Sequence, residues 1–224
     1  MPTDPIPTPD DADGARPLRA DAARNRERIV TAARELYATR GLNVGLNEIA
    51  HHAGLGVGTV YRRFPDKREL IEAAIAEPLR EMTEVAGQAL RAERAWDGLM
   101  LLIERGAELL TRNLGLRDAA LASDETRRDL DTHLQVFEDI GCALMDRARA
   151  EGDLRPGATN GDLGVILWMV TELAAHSVHT HPDAYRRYLR VLTDGLRNAP
   201  DRGPLEPELA DADYLAIGRH WAAN

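Results

Sequence analysis

No segment of this 224-residue chain shows sustained two-residue alternation of apolar and polar side chains, while apolar residues recur at helical spacing along most of it. That pattern confines the chain to helix packed on helix, an all-α fold. Ile29, Ala33, Leu36 and Tyr37 fall at i, i+4, i+7 and i+8, and Gly41 follows where helices commonly end, so a helix is expected over about 22–40. Leu46, Ile49, Ala50 and Ala53 share one face of a second helix, Gly54 stops it, and a short apolar and basic run over 57–63 follows almost at once. In "FPDKREL", Pro65 is a breaker and Asp66 stands three residues before Glu69, the spacing of a capping box that opens a fourth helix. Helices are expected near 66–93, 96–113, 124–151, 160–179 and 183–198, the later ones separated by "GDLRPGATNGD" and "HTHPD". Residues 1–20, rich in Pro and Asp and without periodicity, read as a disordered arm. Residues 201–224 read as a polar tail with a short helix around 214–221.

Charge divides the chain. The net charge of −9 argues against nucleic acid as a partner for the whole, yet residues 16–80 carry twelve basic against eight acidic side chains. Only the front of the chain is therefore suited to face phosphate. The densest apolar run, "GVILWMV", is far short of the roughly 20 residues that span a bilayer. The N-terminal "MPTDPIPTPDDADGA" lacks the basic start and apolar middle of a signal peptide, so a cytoplasmic location and no membrane partner are expected. The single cysteine, Cys142, can form no internal disulfide and excludes a multi-cysteine metal cluster.

The stretch "AGLGVGTVYRRF", 53–64, holds three glycines that would suit either a phosphate loop or the turn of a helix pair. A dinucleotide site needs a strand before its glycines and a different spacing, and a P-loop needs Gly-Lys-Ser/Thr; neither condition is met. A helix-turn-helix uses more of the residues. Ala50 is small where two helices cross, Gly54 can take the left-handed turn conformation, and Leu55 and Val60 fill the wedge, leaving 57–63 as the recognition helix.

Residues 24–75, "RNRERIVTAARELYATRGLNVGLNEIAHHAGLGVGTVYRRFPDKRELIEAAI", resemble the DNA-binding domain of the TetR family of transcriptional regulators. The resemblance rests on the helical lead-in, Gly41, "EIA", "AG", "GTVYRRF" and "K-x-E-L". It implies a helix-turn-helix domain over 21–80 and a helical regulatory and dimerisation domain over 81–200. By the same resemblance Thr59 touches DNA backbone or bases, the Tyr61 hydroxyl meets a phosphate while its ring packs, and Lys67 reaches a phosphate from the start of the fourth helix. Arg62 and Arg63 stand where members vary, and either is suited to bidentate contact with guanine; Phe64 is expected in the core. The sequence departs from the family at Gly45, where a Ser or Thr usually caps the second helix, so that contact falls to backbone N–H groups or Asn47. Gly56 and Val57 replace a common polar pair, which shifts base reading toward Val57 on thymine methyls and toward the arginines.

The implied partners are a double-stranded DNA operator, an unidentified small-molecule effector and a second copy of the chain. The dimer stripe is expected on Leu163, Ile166, Leu167 and Val170 together with Tyr185, Tyr188, Leu189, Leu192 and Leu196. Trp96, Met100, Phe137, Trp168 and Met169, with His133 or Glu172 as polar contact, are candidates for the effector pocket, and equally for ordinary core. His176, His179 and His181 lie near a helix C-terminus, which the helix dipole favours without a metal, and neither metal nor cofactor is expected. No nucleophile elbow, HExxH or paired-carboxylate pattern supports an enzyme. A helical ligand-binding or interaction protein with weakened operator recognition stands as the alternative. Pro78, inside the apolar pattern of the fourth helix, is expected either to kink that helix or to end it.

Overall fold

The structure, a computed structural model, describes residues 10–121, 131–207, 209–210 and 213–214. The short helix expected around 214–221 lies, apart from its first residue, outside them. Nine helices are found among the described residues: α1 (Asp10–Arg40), α2 (Leu46–His52), α3 (Val57–Arg63), α4 (Lys67–Leu90), α5 (Ala95–Arg112), α6 (Leu114–Leu121), α7 (Asp131–Ala150), α8 (Asn160–Ser177) and α9 (Ala184–Leu196). Extended pairing among these residues is limited to one antiparallel bridge between Leu154 and Arg197.

Three elements differ from the sequence expectation. α1 starts at Asp10 rather than near 22, so the arm expected over 1–20 is helical from Asp10 on, with residues 1–9 outside the described residues. Pro17 disguised the pattern in the sequence, since proline is disfavoured inside helices. α6 was not expected at all. Asn113 accepts the Leu116 N–H on its side-chain oxygen at 2.9 Å and so starts a separate eight-residue helix. The third difference is α7, expected from 124 and described from Asp131, with residues 122–130 outside the described set.

α1, α2 and α3 form a head closed by the start of α4, where the Asp66 carboxylate accepts the Arg68 N–H at 2.9 Å. Ile29, Tyr37, Ile49, Val60, Phe64 and Leu70 are fully buried at its centre. α4 then runs from the head into a bundle, packing on α5 and α7, and continues through Pro78 to Leu90, which removes the alternative that Pro78 ends the helix. α8 and α9 pair on the far side of α5. Head and bundle share one continuous apolar core.

α6 also ties the bundle to the head. The Asp118 carboxylate accepts the Leu42 N–H at 2.9 Å, in the turn between α1 and α2. Gly41 makes room for it: its φ of +75° is unfavourable for other residues, and a Cβ there would overlap the same carboxylate oxygen.

Candidate nucleic-acid interface

The α2–α3 turn is built from local chemistry. Gly54 takes φ +63°, which allows its own N–H to reach the His51 carbonyl at 3.0 Å and the Leu55 N–H to reach the Ala50 carbonyl at 2.9 Å. Arg28 of α1 donates to the Ala53 carbonyl at 2.8 Å, clamping the turn from behind. Ala50 and Val60 are wholly buried where the helices meet, and Leu55 packs partly buried beside them. Phe64, buried beyond the end of α3, lies under the Arg26 guanidinium, 5.2 Å from the ring centre. Arg40 holds Glu48 at 2.7 Å across α1 and α2 and, by hydrogen bond and charge, keeps that carboxyl below its usual range.

The nine residues assigned to DNA from the sequence occupy the start of α2, the whole of α3 and the start of α4. Asn47, Gly56, Val57, Tyr61, Arg62 and Arg63 are exposed, and Gly45, Thr59 and Lys67 are half-buried. Gly45 and Gly56 sit at the two N-caps in extended conformation, without a side chain to cap either helix. Tyr61 is 49% exposed and Val57 43%, so the tyrosine ring packs less than expected. Arg63 is engaged with its own chain, donating to the Ala22 carbonyl of α1 at 3.1 Å. Lys67 donates to the Leu42 carbonyl at 2.7 Å, and burial pulls its ammonium below the ordinary lysine pKa. One of its three N–H donors is thereby fixed, which aims the other two. Leu42 is thus held on both sides, its N–H by Asp118 and its carbonyl by Lys67.

The residues expected to line an effector pocket differ in exposure and in partners. Trp96 is buried under Arg197, whose guanidinium stands 5.4 Å from the ring centre, and Phe137 is also buried, while Met100 and Trp168 are half-buried. Met169 is 45% exposed on α8, facing outward. His133 is exposed and bonds Thr83 Oγ1 of α4 at 2.9 Å. Glu172 meets Arg117 at 3.4 Å, and Arg117 meets Asp118 at the same distance, a chain of charges leading from α8 through α6 to the head. Most members of the expected dimer stripe face inward. Leu163, Ile166, Val170, Tyr185, Leu189 and Leu196 are buried in the chain's own core and Leu167 and Leu192 are half-buried, which leaves Tyr188 as the exposed member. The large outward apolar side chains of α8, α9 and the turn between them are Met169, Val178, Tyr188 and Val191. Among the described residues no group of three or more His, Cys, Asp or Glu side chains is placed to hold a metal ion. No helix among them is long and apolar enough to cross a membrane.

Sequence reasoning missed Arg28, Arg117 and Asp118. Their partners lie 25, 55 and 76 positions away, beyond any local pattern.

Comparison with known proteins agrees with this geometry. Residues 29–74 match the family described as bacterial regulatory proteins, tetR family, and residues 97–198 match the C-terminal domain of SbtR-like transcriptional regulators. The HTH-type transcriptional regulator SrpR of Pseudomonas putida is 25% identical over 218 residues, covering 93% of this chain and 89% of that protein. An HTH-type transcriptional regulator of Staphylococcus aureus is 41% identical over 63 residues, 28% of this chain and 34% of that protein. Among solved structures, the transcriptional regulator FadR of Bacillus subtilis, in complex with stearoyl-CoA, superposes with a TM-score of 0.58 at 18% identity, over 76% of this chain and 98% of that one.

Proposed function

The chain belongs to the tetR family of bacterial regulatory proteins, and from that premise we propose that it acts in the cytoplasm as a homodimeric repressor whose operator is a palindrome and whose release is triggered by a small molecule. Ligand-responsive, DNA-binding regulation of transcription is the activity of the family. The observation that carries the reading in this chain is α3 itself. It is anchored by one wholly buried residue, Val60, and presents Val57, Tyr61 and Arg62 outward beside Lys67, with no partner claiming its outer face among the described residues.

The second copy would pack on Met169, Val178, Tyr188 and Val191, an apolar set on α8, α9 and the turn between them, at the far side of the bundle from α4. Two-fold pairing there would carry two heads to half-sites about one helical turn, ~10 bp, or a multiple of it apart. An effector acts by binding two arrangements of the bundle unequally. Two connections reach the head from the bundle: α4, with Pro78 inside it, and the Asp118 contact of α6.

Fluorescence anisotropy on duplexes from the DNA flanking the gene tests the binding claim. Affinity should fall linearly on a log–log plot as salt rises, and Lys67→Ala should lower the slope by roughly one unit per protomer while weakening all sequences alike. Binding that is absent at low salt, or indifferent to salt, contradicts it.

A further inference from the structure

α3 ends in two adjacent arginines, and the structure treats them differently. Val60 is wholly buried and fixes which side of the helix faces inward. At about 100° per residue, Gly58 and Arg62 stand roughly 160° to either side of Val60, on the line that points straight out, whereas Arg63 stands only about 60° from the buried side. The contacts agree with the angles. Arg63 turns back to α1 and donates to the Ala22 carbonyl at 3.1 Å, while no hydrogen bond or ion pair engages Arg62 among the described residues. Gly58 has no reason within the chain to be glycine: it sits inside a helix, where alanine is favoured, and nothing lies within 4 Å of the position its Cβ would take. An unfilled outward position one turn before a free arginine would let the helix lie close against base edges in a major groove.

We infer that Arg62, and not Arg63, is the specificity-determining side chain of α3, reading a guanine by two hydrogen bonds, and that Gly58 sets how closely the helix approaches the bases. Arg63 is a positioning residue that holds α3 against α1. The inference rests on the operator-binding reading above and sharpens it to one residue and one base type.

The test uses the full-length protein and the duplex it enriches from a random pool, with affinities measured for every single-base-pair change in that duplex. Arg62→Ala should flatten the preference at one G·C pair per half-site, where the parent discriminates by roughly 5- to 150-fold. Arg63→Ala should lower affinity while keeping every preference. Gly58→Ala should melt at the same or a higher temperature and yet bind the enriched duplex on the order of tenfold more weakly, a pairing of effects that a purely structural glycine cannot give. Loss of the preference in Arg63→Ala with its retention in Arg62→Ala overturns the inference and leaves operator binding intact, as does a Gly58→Ala variant that binds like the parent. A parent that enriches no sequence overturns the operator reading and the inference with it.

Discussion

Tyr37 shows what a single side chain costs this head. Its ring is fully buried at the end of α1, and its hydroxyl, also buried, has no hydrogen-bond partner among the described residues. Burial pushes its pKa from 10.0 up to about 12, so the folded chain holds the phenolic proton more tightly than the unfolded chain does. That stability is complete below pH 10 and is lost as pH rises through about 12, an amount on the order of 2–3 kcal/mol. Tyr37→Phe removes an unpaired hydroxyl and should be neutral or stabilising by about 1 kcal/mol at neutral pH. It should also flatten the alkaline loss, which urea titrations of both proteins between pH 8 and pH 12 would read; an unchanged alkaline slope contradicts this assignment. Residues whose roles are local were legible in the sequence: Gly54 in the turn, Val60 and Phe64 in the core. The ties of Arg63 to Ala22 and of Lys67 to Leu42 were not, because each joins positions distant in sequence through a backbone carbonyl that no side-chain pattern marks.

Among the elements, α4 carries the most consequence, since its first residue is Lys67 and its later turns pack on α5 and α7. Pro78 cannot donate to the Ala74 carbonyl and crowds it, yet the helix runs on to Leu90 because Leu79, Met82, Val85 and Ala86 are buried beyond it. Pro78→Ala should therefore raise the melting temperature, recovering up to about 3 kcal/mol. It should also change affinity for the enriched operator, since a straighter α4 re-aims Lys67 relative to the bundle. A stabilised variant with parental affinity would show that the proline does not set the position of the head. Periodicity located α2, α3, α5, α8 and α9 within a few residues. It missed α6 because an eight-residue helix has too few turns to show a stripe, and its role comes from Asp118 meeting a turn 76 residues earlier.

For the whole molecule, the apolar stripes of α8 and α9 announced two well-packed helices but not which side faces a second copy. Strong periodicity marks the side turned to the chain's own core; the outer side is recognised only once burial is known. Met169, Val178, Tyr188 and Val191 are the side chains left exposed. If they form the dimer seam, at least ~1,200 Å² is buried there, and Val191→Glu or Tyr188→Arg should raise the dimer dissociation constant by about 30-fold or more with the helical signal unchanged. Sedimentation velocity over a dilution series reads this directly, and a dimer as tight as the parent's would move the seam elsewhere. The proposed assembly joins both ends of the chain: one seam between two copies would hold two α3 helices over two half-sites. Selection of duplexes from a random pool by the intact protein tests it most directly. The expected outcome is an inverted repeat whose half-site centres lie about 10 bp, or a multiple of that, apart; enrichment of a lone, asymmetric site, or of no sequence at all, overturns the two-fold arrangement.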